Sequence, residues 1–183
     1  MKDPVYTGAM GYTVSQGLAE SDLSQWLKDA AKKHGTFKDG RVDYTNADTA
    51  PVVMVTVLVG DEILLVKRGH GLADADGYWS TVNGFIDEDK PVGQIAAQEL
   101  KEEIGLKLSP QKIRVARSYT LSNPAEKRSY IVFPCLIKLN TKPKIVLNNE
   151  NTEFTWTSRD KIDGYEMLED TPETIDAALK LAK

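Results

Sequence analysis

The stretch whose reading decides the fold is Val82–Leu106, VNGFIDEDKPVGQIAAQELKEEIGL. Three glutamates, Glu99, Glu102 and Glu103, crowd into five positions of it. Pro91 suits the first turn of a helix and Gly105 its end, so the residues between read as helical to Ile104. At about 100° per residue, Ala97, Leu100 and Ile104 gather on a side that faces the core. Gln94, Gln98 and Lys101 gather on a second, solvated side, and the glutamates occupy a third at i, i+3 and i+4. Like charges at these spacings destabilise a helix by roughly 0.2–0.5 kcal/mol per pair. The helix dipole also disfavours anions near a C-terminus. A plain solvated acidic face is one explanation. A compensating cation is the other: three oxygen-donor side chains on one face suit Mg2+ or Mn2+, hard ions that take carboxylates, water and phosphates together. Such an ion can hold a diphosphate and activate a water toward phosphorus.

Working outward, VVMVTVLV (52–59) is an apolar, β-branched run that turns at Gly60–Glu62 into ILLVKR (63–68), the pattern of a hairpin with buried strands. A Gly-, Asp- and Ala-rich loop (69–77) leads to YWSTVNGF, a short strand ending at Gly84. Further strands are expected near 112–121, 129–139 and 153–157. Thr171 is expected to cap a last helix that has Pro172 at its first position. On the N-terminal side, residues 1–20 lack clear periodicity. A helix over about 22–34 carries Leu23, Trp26, Leu27, Ala30 and Ala31 on one stripe, with Ser21 as its expected N-cap and Gly35 past its end. Residues 36–50 are polar and turn-rich and read as a linker. Two segments follow: an N-terminal extension, 1–49, and a main domain, 50–183. The irregular alternation of strands and helices, with hairpin neighbours, predicts an α/β fold with a mixed sheet covered by helices.

Composition bounds the function. The chain has 183 residues, 41% hydrophobic and 27% charged, with net charge −4. These values fit a soluble domain with a real core, and argue against a general binder of nucleic acid polymers. The single Cys135 excludes an internal disulfide and suits a reducing cytoplasm. No apolar run approaches the roughly 18 residues of a membrane span, and the N-terminus lacks a signal-peptide pattern. The expected localisation is cytoplasmic, with no membrane partner.

Gly84 followed by QELKEEIGL (98–106) resembles the Nudix box, G-x5-E-x7-R-E-U-x-E-E-x-G-U, where U is a bulky aliphatic. The matching positions are Gly84, Glu99, Leu100, Glu102, Glu103, Gly105 and Leu106, in a register without gaps. VKRG, GYWSTVNGF and NTEFTWTSRDKI are also similar to family segments, and the resemblance covers about residues 50–183. Lys90 stands where the family has Glu, and Gln98 where it has Arg. In the family that Arg helps orient the neighbouring glutamate, and that Glu supports the metal cluster. Glu88 and Asp89 are the acids at hand to replace the latter, or do no more than favour the helix N-terminus.

The resemblance implies a Nudix-type α/β/α sandwich with a central mixed β-sheet. It also implies a divalent-metal-dependent hydrolase, with Mg2+ or Mn2+, that cleaves a phosphoanhydride in a nucleoside diphosphate linked to another group. Glu99, Glu102 and Glu103 would bind the metal and carry catalysis, with Glu99 an alternative general base. An acid beyond the box is expected to join them, Glu150 first and Glu153 second. Gly105 and Leu106 are structural. A diphosphate calls for cations, and Arg68 at the end of a strand is the first candidate, ahead of His70. With Gly84 it makes up the expected substrate contact. Trp79 reads as core; Tyr119, Tyr130, Phe154 and Trp156 are candidate stacking rings that the pattern does not separate. Two other readings stand beside the hydrolase. Lys90 and Gln98 favour a catalytically weak or inactive nucleotide-binding sensor module. An isomerase of isoprenoid diphosphates would want a reactive cysteine, which Cys135 in its apolar strand does not resemble. The N-terminal helix packs on its own domain by default, and otherwise caps the cleft or forms a homodimer contact.

Overall fold

The computed structural model describes residues 6–7, 13–69, 76–123, 127–168 and 170–183; the candidate His70 lies outside them. The chain forms two compact units. The first comprises Met1–Val53, Phe85–Val92 and Arg117–Phe133, and the second Met54–Gly84, Gly93–Ala116 and Pro134–Lys183. Residues 1–49 thus share a unit with two later segments. No helix among the described residues is long and apolar enough to cross a membrane.

In the first unit, helix α1 (Glu20–His34) buries Leu23, Leu27 and Ala30 on the expected stripe. Gly35 ends it at φ 89°, with its N–H turned back to Ala31 O at 2.9 Å. The expected cap is corrected: Ala19 holds the N-cap position, and Ser21 lies inside the helix with its hydroxyl on Asp22 Oδ1. The linker reading of 36–50 also fails, because Val42, Tyr44 and Ala47 are buried at 5%, 5% and 7% exposure. Main-chain bonds hold the segment, with Val42 N–H donating to Asp87 O at 2.8 Å. Strand β1 (Tyr6–Thr7) pairs with β2 (Thr13–Gln16), which pairs with β8 (Tyr119–Asn123), which pairs with β9 (Arg128–Leu139), all antiparallel.

In the second unit the strand order is β9, β3 (Thr49–Val59), β4 (Glu62–Arg68), β10 (Asn151–Ser158). The β3–β4 hairpin closes with Leu58 opposite Ile63, and β10 runs antiparallel to β4. Short strands β5 (Trp79–Ser80), β6 (Val82–Phe85) and β7 (Arg114–Val115) pair with β4, β3 and β9. The strand expected over 112–121 is broken in two. Residues Pro110–Lys112 form a 3-10 turn, and β7 stops where it would meet Pro134 of β9, which has no N–H to donate. Leu58, Ile63, Leu65, Leu136, Ile162, Ile175 and Ala178 form a buried cluster with Trp79 against its margin. Helix α3 (Thr171–Leu179) begins one residue earlier than its expected cap implies: Asp170, at φ 65°, holds the N-cap position and Thr171 is the first helical residue.

Helix α2 (Val92–Ile104) carries the glutamates. Its buried side is wider than the wheel suggests: Val92, Ile95, Ala96, Leu100 and Ile104 are all at most 2% exposed, while Ala97 is only half-buried. Glu103 joins that side.

Candidate active site

The glutamates of α2 sit in three different environments. Glu102 is exposed, Glu99 is half-buried and Glu103 is 4% exposed. Their placement depends on how α2 begins and ends. Its first N–H, on Val92, is satisfied by Glu20 Oε1 at 3.2 Å, a side-chain cap from a distant part of the sequence. Its end turns at Gly105, φ 71°, which lets the N–H groups of Gly105 and Leu106 bond back to Lys101 O and Leu100 O. Val146 and Asn148 then donate main-chain N–H groups to Ile104 O and Glu103 O, each at 3.0 Å. The last carbonyls of the helix are therefore occupied by the 146–151 segment, which fixes that segment beside Glu103.

Glu103 accepts two hydrogen bonds, one on each oxygen. The main-chain N–H of Asn83 donates to Oε1 at 3.1 Å, and Asn151 Nδ2 donates to Oε2 at 2.8 Å. Burial pushes its carboxyl up to about 7, against the pull of these two donors, and the nearby charges of Glu150 and Arg68 act in opposite directions. Desolvation wins because both donors are neutral amides: they orient the carboxylate without neutralising it.

Gly84 has a specific reason to be glycine. A Cβ there would lie 2.2 Å from the carboxyl carbon of Glu99, so the Glu99 carboxylate fills the space a side chain would need. Arg68, at the end of β4, is half-buried; its Nη1 reaches Asn83 Oδ1 at 3.4 Å. Its Nε is buried with no hydrogen-bond acceptor among the described residues. Glu150 is exposed, and its main chain is anchored at both ends, N–H to Asn148 Oδ1 and carbonyl to Gly69 N–H. The second candidate, Glu153, is committed to Lys67 in an ion pair of 2.8 Å. Trp79 is half-buried, edge-on to Tyr165 at 5.3 Å with Lys67 over its ring at 5.7 Å. The two acids near the departed box position have local partners: Glu88 pairs with Lys90 at 2.7 Å, and Asp89 accepts Ser24 Oγ at 2.9 Å.

The donor set suits a hard divalent ion in chemistry, since it offers only carboxylate oxygens, and in the cradle that Gly84 leaves for Glu99. Among the described residues, no three His, Cys, Asp or Glu side chains already stand in an ion-holding group. Two residues here were not foreseen from the sequence: Asn83 and Asn151. Three asparagines in the run LNNEN, entering a strand, were the available signal, because Asn is depleted in strands.

Comparison with known proteins adds the following. A family model described as NUDIX domain matches residues 48–179. The NAD-capped RNA hydrolase NudC of Stutzerimonas stutzeri is 34% identical over 61 residues, 33% of this chain and 21% of that protein. The match thus spans about a fifth of that relative's length. A structure of the bifunctional NMN adenylyltransferase/ADP ribose pyrophosphatase of Francisella tularensis, complexed with AMP and Mn ion, matches with TM-score 0.61 at 20% identity, covering 90% of this chain and 48% of that one. The NUDIX domain of Shewanella oneidensis NrtR, complexed with ADP ribose, matches with TM-score 0.62 at 15% identity, covering 74% of this chain and 89% of that one. At these identities the likenesses show the fold: an α/β/α sandwich with a mixed sheet.

Proposed function

The chain belongs to the NUDIX family of hydrolases, and from that premise we propose that it is a divalent-metal-dependent pyrophosphohydrolase acting on a nucleoside diphosphate linked to another group. The observation that carries this reading is the state of Glu103, a buried carboxylate oriented by two amide donors one turn from Glu99, whose carboxylate lies against Gly84. A structural carboxylate gains nothing from such desolvation, whereas a ligand or base does.

In this reading Glu99, Glu102 and Glu103 hold Mg2+ or Mn2+, with Glu150 as a fourth donor. When bound, the ion supplies Lewis-acid activation of water and neutralises charge on the phosphoryl oxygens. The chain's own residues do the rest. Asn83 and Asn151 keep the Glu103 oxygens aimed. Gly84 keeps the main chain close to Glu99, and Arg68 brings a cation to the diphosphate. Glu99 is the alternative acceptor of the proton from water.

The test is release of phosphate and nucleotide from nucleotide sugars, ADP-ribose, dinucleoside polyphosphates and nucleoside triphosphates, with Mg2+ or Mn2+. The expected result is metal-dependent cleavage of one class, lowered by orders of magnitude in Glu102→Gln. Wild-type turnover in that variant refutes the role given to the α2 acids. A second reading, a nucleotide-binding sensor, is favoured by one observation: Lys90, at the box position of an acid, is ion-paired to Glu88. It predicts no cleavage of any class, with nucleotide still raising the melting temperature.

A further inference from the structure

A second constellation lies wholly in the first unit and takes no part in the carboxylate chemistry. Tyr44 is 5% exposed, and its hydroxyl donates to Ile86 O at 2.8 Å, which fixes the ring. Trp26 of α1 packs against it with centroids 6.2 Å apart, and Phe85 at 5.7 Å. Phe85 nevertheless remains 41% exposed, one of few large apolar side chains so open among the described residues. Arg128, on β9, stands 6.0 Å over the Phe85 ring and 5.4 Å over Tyr130. Its Nε is buried with no hydrogen-bond partner, and no carboxylate pairs with it among the described residues.

Core packing accounts for Tyr44 and for half of Trp26. It does not account for the other two. An open Phe ring on a rigid aromatic base leaves apolar surface in water. A half-buried guanidinium with an unmade hydrogen bond carries an unmet desolvation penalty. The chain has net charge −4, yet among the described residues no acceptor meets the buried Arg128 Nε. One ligand chemistry answers both features: a planar ring to lie on Phe85, and an anion for the guanidinium. A nucleotide has both. Because every base has a π-face, such a platform holds bases without reading their edges.

We propose that Phe85 and Arg128 form a nucleotide-holding site in which the base stacks on the Phe85 ring and a phosphate meets Arg128. The choice of a nucleotide over other planar anions rests on the proposed function. The site itself rests on the ring geometry and on the buried Arg128 Nε, which has no hydrogen-bond acceptor among the described residues. Phe85 directly follows Gly84 in the chain, so the residue that a box match treats as variable carries the recognition of the base.

The experiment is calorimetric titration of the full chain with AMP and with UMP in EDTA, where there is no anhydride to cleave and no ion to bridge. Ribose 5-phosphate is the probe without a base. Phe85→Leu, which keeps apolar bulk against Tyr44, is expected to weaken AMP and UMP roughly tenfold or more and to leave ribose 5-phosphate unchanged. Phe85→Trp is expected to hold AMP at least as tightly as wild type, which keeps the test decisive if the Leu variant folds poorly. Arg128→Gln is expected to weaken all three probes. Equal affinity of wild type and Phe85→Leu for AMP overturns the proposal, as does absence of AMP and UMP binding in the wild type. Failure here and failure of the hydrolase reading are separable. Base binding that depends on Phe85, without cleavage of any anhydride, removes the hydrolase and keeps this site. Cleavage lost in Glu102→Gln, with AMP binding indifferent to Phe85, does the reverse.

Discussion

Helices α1 and α2 are built from similar residues and use their charges in opposite ways. α1 has Glu20 and Asp22 in its first turn and Lys32, Lys33 and His34 in its last, the arrangement that a helix dipole favours. α2 has no acid in its first turn and ends in Glu102 and Glu103. Each helix also shows an amide donating to a carboxylate. In α1, Gln25 Nε2 donates to Asp29 Oδ2 at 3.1 Å in full solvent, and holds the Asp29 carboxyl below its usual range. In the α2 site, Asn151 donates to Glu103 at 2.8 Å, yet the carboxyl is pushed up to about 7. The same bond has opposite outcomes because burial at Glu103 outweighs it. Charges that stabilise a helix lie where its dipole and the solvent want them; Glu103 of α2 lies where neither does.

The largest effect that tests this contrast is the pH dependence of stability. The folded Glu103 carboxyl titrates near 7, above its ordinary 4.5, so the folded state binds more protons between those values. Its contribution is fully present below about pH 4.5 and is lost as pH rises through 7, on the order of 3 kcal/mol in total. Glu103→Gln removes the titration. The Gln amide keeps one acceptor for Asn83 and can face a flipped Asn151 amide. In urea melts in EDTA, the variant is expected to gain on wild type from pH 5 to about pH 7 and to level off above it. Parallel wild-type and variant profiles would mean that Glu103 is not buried as an isolated carboxylate. Asp29→Asn on α1, measured alongside, is expected to show no such divergence in that window.

The next effect concerns the amides. Partners that orient metal ligands typically contribute ten- to hundredfold in metal affinity. Asn151→Ala is accordingly expected to weaken Mn2+ binding by about 10- to 100-fold, with a fold intact by circular dichroism. Asn151→Asp sets a second charge against Glu103 and, before metal is added, should destabilise more than Ala. Gln25→Ala on α1 should leave Mn2+ affinity unchanged. If the two alanine variants bind Mn2+ alike, the buried amide is structural only and the contrast between the helices narrows to burial.

How much of this was readable in the sequence follows from the range of each cause. The E-x-x-E-E spacing, Gly84 and Gly105 are local signals, and each has a local structural counterpart: a helix, a cradle for Glu99 and a left-handed turn. The wheel of α2 separates its acids from the apolar stripe, but only tertiary packing decides that Glu103 is covered while Glu102 is not. Asn151 reaches Glu103 across 48 residues of chain, and no periodicity reports such a pairing. The cap expected at Ser21 failed for a similar reason: Glu20, one residue earlier, is drawn to the N–H of Val92 rather than left in a loop. The 36–50 segment read as a linker because its buried Val42, Tyr44 and Ala47 are spaced too irregularly to suggest a strand or helix.

The smallest effect belongs to Glu20, a side chain that serves the charge logic of both helices. It lies in the first turn of α1 and accepts the first N–H of α2, a helix with no acid of its own there. Glu20→Gln keeps an acceptor for Val92 but removes the charge from both N-termini. The expected loss is about 0.3–1 kcal/mol, smaller still at high salt, because the group is exposed. Glu20→Ala removes the acceptor as well and should lose about 1 kcal/mol. Neither variant should change turnover, since the charge serves helix formation and not the reaction. Melting temperature and steady-state rate, measured on the same preparations, separate the two roles. A Glu20→Gln variant that melts like wild type yet turns over slowly would place a catalytic charge on α1, and the division of labour between the helices would fall.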